Sequence, residues 1–167
     1  MLDIAQQTDE LGILDIPALR VRAGSAVLVV DDDATLRQLI SLRLRLLGHE
    51  VEAVASVPAA IETLDARTIG AIISDYSMPD ATGLELLAYV EHRRLSIPFV
   101  LMTGYLSEEL EELAFRGGAA AALDKGDLLD ALPDLFYLTV PDAPIRARRR
   151  RPRRSFASPA TLARASQ

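Results

Sequence analysis

A chain of 167 residues, half of them apolar and a quarter charged, has room for one ordinary folded domain plus its ends, and it lacks the composition of a wholly disordered protein. It contains no cysteine, which excludes a disulfide framework and thiolate chemistry, and no apolar run approaches a membrane span or follows a basic opening segment, so the expected location is cytoplasmic. The net charge of -6 conceals an asymmetry: residues 1–140 hold 23 acids against 10 basic residues, whereas residues 141–167 hold one acid against eight arginines.

Residues 1–24 mix acids, glutamines and scattered aliphatics with the breakers Pro17 and Gly24, and read as a leader. From Ala26 short aliphatic runs alternate with longer segments of helical period. VLVV at 27–30 is too short and too rich in valine for a helix, and it stops at three aspartates. Leu36, Leu39, Ile40, Leu44 and Leu47 then recur at helical spacing, the stripe of a helix packed on a sheet, with Gly48 at its end. VEAV at 51–54 predicts a second strand. Ser56 as cap and Pro58 in the first turn open a helix that runs to about Arg67.

AIIS at 71–74 predicts the third strand, with Asp75 at its end, and Gly83 to Arg93 has helical period. PFVLM at 98–102 is a fourth strand, and Ser107 caps an acidic helix that Gly117 and Gly118 end. Residues 119–123 form a weak fifth strand, and Asp127 to Tyr137 a fifth helix. Strict alternation of five strands and five helices implies an α/β fold, a doubly wound parallel sheet with helices on both faces. Such sheets bind ligands at the carboxyl ends of their strands.

The unusual residues fall at those ends: Asp31 to Asp33, Asp75, Thr103, and Asp124 with Lys125, the single lysine among 18 basic residues. Taken one at a time each has a plain reading, as cap, turn or solvated charge. Their coincidence at the ends of adjacent strands is what those readings do not require. A carboxylate nucleophile attacking a phosphoryl group needs a divalent cation to offset the repulsion of anions. Asp31 and Asp32 beside Asp75 supply hard oxygen ligands suited to Mg2+. Lys125 can neutralise one phosphoryl oxygen and the Thr103 hydroxyl can hydrogen-bond another.

VLVVDDD, IISDYSMPDATGLELL, PFVLMTG and LDKGD resemble, in order and spacing, the signature segments of bacterial two-component response-regulator receiver domains, over residues 26 to about 138. The resemblance implies a five-stranded sheet of flavodoxin-like order 2-1-3-4-5, the order for which a member of this family is a standard example. It implies Asp75 as phosphoacceptor, Asp31, Asp32 and Asp75 with the Ser77 backbone carbonyl as Mg2+ ligands, Thr103 as switch hydroxyl and Lys125 as the site lysine. The donor it implies is a sensor histidine kinase or a histidine phosphotransfer protein, with readout by a downstream protein. The chain is then a phosphoaccepting signalling protein, and it catalyses only its own phosphorylation and dephosphorylation.

Two positions depart from the family pattern: Gly126 stands where proline follows the lysine, and Ala122 where an aromatic switch is expected. Tyr105, two residues after Thr103, is the candidate to serve as switch or to shield the site. On the first helix Leu42 and Leu46 extend the apolar arc and are a candidate partner surface, or an edge that the leader covers. His49 and His92 carry no expected role.

The expected division is a leader over 1–24, a receiver over 25–138 and, over 139–167, an Arg-rich tail whose composition does not support independent folding. RARRRRPRR, Arg146 to Arg154, suits contact with an anionic partner such as a nucleic-acid backbone, and no recognisable DNA-reading segment accompanies it. The competing function is a receiver-fold binding module that works without phosphorylation.

Overall fold

The computed structural model describes residues 19–138, and the aliphatic runs in it assemble side by side rather than in chain order. Five strands, β2 (Ala26–Val30), β3 (Glu50–Val54), β4 (Ile69–Asp75), β5 (Phe99–Thr103) and β6 (Ala121–Asp124), form one sheet of order β3-β2-β4-β5-β6. All four pairings are parallel. Counting these strands alone, the order is 2-1-3-4-5, as expected. Parallel neighbours require crossovers, and each is made by a helix: α1 (Ala34–Leu46), α2 (Val57–Ala66), α3 (Gly83–His92) and α4 (Glu108–Arg116), with α5 (Lys125–Leu135) following β6.

Every residue of β2 and β5 is buried, as a strand covered on both faces requires. Alternate side chains then go to opposite layers. Val27 and Val29 pack with Ile40 and Leu44 of α1 and Leu128 and Leu132 of α5, whereas Leu28 and Val30 pack with Leu86 of α3 and Leu110 of α4. The helix starts follow local chemistry. Asp33 accepts from the amides of Thr35 and Leu36, Ser56 from Ala59 and Ser107 from Leu110, and Thr82 and Glu85 form a reciprocal capping box. Past the end of α1, Gly48 takes a φ of 90°, which its missing Cβ permits.

The structure departs from the sequence expectation in several places, and the fourth strand, Phe99–Thr103, is shifted by one residue from 98–102. Leu39, expected in the packed stripe of α1, is 46% exposed, so the packed side of that helix runs through Leu36, Ile40, Leu44 and Leu47 without it. The fifth strand starts at Ala121 rather than at 119, because the register of β5 pairs Val100 with Ala121. The third strand is longer than AIIS and takes in Ile69 and Asp75. The fifth helix begins two residues early, at Lys125, and stops at Leu135 instead of reaching Tyr137.

That early stop frees β7 (Phe136–Leu138), which pairs in parallel with β1 (Leu19–Val21), a strand inside the segment read as leader. Gly70 of β4 makes room for this second sheet. A Cβ there would fall 2.2 Å from Ser25 Oγ and 2.9 Å from Val21 Cγ1. The rest of the leader and the Arg146 to Arg154 run lie outside the described residues.

Candidate functional site

β2, β4, β5 and β6 end together, and the residues just past or at those ends converge. The aspartate run after β2 divides its work by position. Asp31 is fully buried, and its Oδ1 accepts from the Asp33 amide at 2.7 Å, a turn closed by the side chain. Asp32 is exposed, and Asp33 caps α1. Asp75, the last residue of β4, is buried, and Asp31, Asp32 and Asp75 each offer a carboxylate oxygen within 4.8 Å of the others.

Lys125 enters from the first turn of α5. Its Nζ donates to Asp75 Oδ2 at 2.8 Å and lies 3.0 Å from Asp31 Oδ2. The Asp31 oxygen is within ion-pair distance yet accepts no hydrogen bond of normal geometry. Burial raises the Asp31 carboxyl above its ordinary range, against the opposing pull of Lys125 and the Asp33 amide. Burial alone would lower the Lys125 ammonium, but Asp75 and Asp31 together raise it, so the lysine is firmly charged.

The donor set fits a hard divalent cation. Three carboxylates crowd together with one ammonium to balance them, and a buried oxygen of Asp31 retains unused acceptor capacity. Among the described residues this is the group of acids with metal-binding spacing.

Backbone contacts fix the loop that follows Asp75. The Tyr76 amide donates to Met102 O at 2.7 Å, the Gly83 amide to Tyr76 O at 2.9 Å, and Ser77 bridges to Thr82, so the loop after Asp75 folds back on itself. Gly83 sits against the Asp75 backbone so closely that a Cβ would fall 2.3 Å from its carbonyl oxygen. Thr103 ends β5 opposite Asp124 of β6, and its hydroxyl is engaged in its own turn with the backbone of Tyr105, at 3.3 and 3.4 Å.

Asp31, Asp32, Asp75 and Lys125 are therefore brought together, with Thr103 on the neighbouring strand end. Other candidates stand elsewhere. The Tyr105 residue is 80% exposed, with its ring in solvent, and Ala122 is buried in the layer under α3 and α4. Leu42 and Leu46 lie exposed on α1. His49 packs edge-on against Phe136, ring centroids 5.8 Å apart, and His92 is exposed at the end of α3.

Two residues that the sequence reading passed over belong to the site. Arg37 of α1 donates its guanidinium to the Asp31 carbonyl, one turn past the aspartates, where a helical count could have placed it. Gly83 opens α3 directly after its Thr82 cap, a position with no helical reason for glycine, which was the available signal of a close approach.

A carboxylate cluster with one lysine, at the strand ends of a doubly wound sheet of order 2-1-3-4-5, defines a flavodoxin-like protein with an acidic pocket compatible with Mg2+ and aspartyl phosphorylation. The chain belongs to the response regulator receiver domain family, which matches residues 27–134. It is 40% identical over 109 residues to the response regulator protein FleR of Pseudomonas aeruginosa, a match covering 65% of this chain and 23% of FleR. The chain thus spans less than a quarter of that relative.

A two-component response regulator of Oryza sativa, ORR13, is 38% identical over 96 residues, covering 56% of this chain and 79% of the relative. Among solved structures, the chemotaxis protein CheY4 of Vibrio cholerae superposes with a TM-score of 0.61 at 30% identity, covering 68% of this chain and 99% of that one. The family is one of two-component signalling proteins rather than classical enzymes, and its receivers take phosphoryl groups from histidine kinases. Among the described residues, no helix is long and apolar enough to cross a membrane.

Proposed function

We propose that Asp75 accepts a phosphoryl group from a phosphohistidine on a sensor kinase or phosphotransfer protein, and that the phosphorylated domain signals through contacts with another protein. The observation that carries this reading is the placement of the Asp75 carboxylate beside Asp31 and Asp32 with the Lys125 ammonium 2.8 Å away. An Asp75 oxygen attacks phosphorus, the P–N bond breaks, and the histidine nitrogen leaves with the electron pair, giving an acyl phosphate. Bound Mg2+ would offset the negative charge on the transferring oxygens.

The chain's own residues set up that step. Asp31 and Asp32, with Asp75 and the Ser77 carbonyl, would hold the cation. Lys125 is already charged and poised to turn from the free carboxylate to a phosphoryl oxygen. Thr103 can release its turn contacts and donate its hydroxyl to another. Residues 25–138 carry this activity, and β1 (Leu19–Val21) packs into the same core.

Incubation with acetyl phosphate and Mg2+, followed by intact-mass measurement, tests the reading. One phosphoryl mass is expected on the wild-type chain, dependent on the metal and absent from Asp75→Asn. An undiminished adduct in Asp75→Asn would refute the assignment.

A further inference from the structure

The side of α1 that faces solvent is apolar. Leu39, Leu42 and Leu46 are 46%, 55% and 73% exposed and follow one another at three- and four-residue steps. At 3.6 residues per turn they form one stripe, on the side away from the buried Ile40 and Leu44. A helix packed on a sheet requires one apolar face, and a second one turned to water marks a docking surface. Its surroundings are basic. Arg43 and Arg45 are exposed, α1 contains no acid, and a shallow groove alongside is lined by Arg37, Gln38, Ser41, Arg45 and Ala53.

We propose that residues 1–18 of the same chain occupy this face, with their aliphatic side chains on the leucine stripe and their carboxylates toward the arginines. Three observations select that occupant. The segment is complementary in both respects: it holds Asp3, Asp9, Glu10 and Asp15 without a basic residue, and Leu2, Ile4, Leu11, Ile13, Leu14 and Ile16. It joins the fold at the right place. Leu19 pairs with Phe136, the Phe136 ring meets His49, and the His49 amide donates to Leu44 O, so the segment ends a few contacts from the last turn of α1.

Its reach is also sufficient. Thirteen helical residues run about 20 Å, whereas 18 residues can span up to roughly 60 Å when extended. The tether makes docking intramolecular, at an effective concentration on the order of millimolar, so even a modest interface is populated. A second copy fits less well. Self-pairing of two α1 faces would set Arg43 and Arg45 of one copy against the same residues of the other, with no acid in the helix to offset them.

The absence of cysteine permits a direct test on the full chain. A nitroxide is attached through Gly12→Cys, and amide signals of the 15N-labelled protein are compared with the label oxidised and reduced. Amides from Leu39 to Leu46 are expected to lose at least half their intensity when the label is oxidised, with those of α4 unaffected. The double substitution Leu42→Glu with Leu46→Glu, on exposed positions that leave the core untouched, is expected to restore them. A mixture of unlabelled-spin 15N chain with spin-labelled 14N chain is expected to show no broadening. Broadening in that mixture would assign the face to a second copy and overturn the proposal. So would the absence of broadening on α1, or broadening that survives the double substitution, since a face left open would then await a separate partner.

Discussion

Lys125 holds its position through residues that differ from the usual receiver pattern. Gly126 stands where the family carries proline, and its amide, which proline lacks, donates to Asp124 Oδ1 at 2.9 Å. That bond caps α5, and the helix start sets Lys125 between two carboxylates. Asp32 is the exposed member of the cluster and supports little else, so Asp32→Ala is expected to leave the unfolding midpoint nearly unchanged. The same substitution should weaken Mg2+ binding by about tenfold, or about 1.4 kcal/mol, as calorimetric titration would read. Equal Mg2+ affinity in the variant would remove Asp32 from the ligand set.

Tyr105 poses a different question, because its ring now stands in solvent. For the ring to shield a phosphorylated Asp75 it must turn inward. If it does, Tyr105→Ala speeds phosphate release from the purified phosphoprotein by about tenfold, about 1.4 kcal/mol in the barrier. An unchanged rate would leave Tyr105 as an outward, partner-facing residue.

At the scale of the element, α3 is seated by its first residue. Gly83 follows the Thr82 cap and lies against the Asp75 carbonyl, so the helix start and the strand end are packed as one joint. Gly83→Ala inserts a Cβ where backbone cannot easily yield, and α3 or Asp75 must move. The expected cost is about 1–3 kcal/mol, measured by denaturant unfolding, together with a slower gain of phosphoryl mass. Normal stability with a normal rate would show that the joint relaxes freely. The two-stranded β1–β7 pair is a contrasting element. Three residues long on each side, it depends on Gly70 beneath it rather than on its own propensity.

For the whole molecule the dominant feature is the charge asymmetry, an acidic body joined to eight arginines over residues 141–167. If Arg146 to Arg154 contacts an anionic polymer, binding to duplex DNA should be independent of sequence, and log affinity should fall with log salt at a slope of about -0.9 per phosphate neutralised. Replacing Arg148, Arg149, Arg150 and Arg151 by glutamine should flatten that slope. An unaltered slope would place the contact elsewhere.

Much of this protein was determined locally and was therefore legible. Aliphatic runs of four or five residues fixed the central strands, Ser56, Ser107 and Gly48 marked helix ends through single hydrogen bonds or a single φ, and the acids and lysine at strand ends marked the candidate site whose side chains the fold brings together. Helix and strand formation at those positions depends on near neighbours in the chain, and periodicity reports it. Tertiary structure decided what depends on distant partners. The pairing of Leu19–Val21 with Phe136–Leu138 joins residues more than a hundred positions apart, and no pattern in either triplet announces the other. The outward turn of Leu39 depends on how far α1 rotates against the sheet, because a stripe of leucines gives a helix's period but not which of its edges is covered. Gly83 and Arg37 reach the site for the same reason: a close approach is a property of two surfaces, and the sequence writes each of them separately.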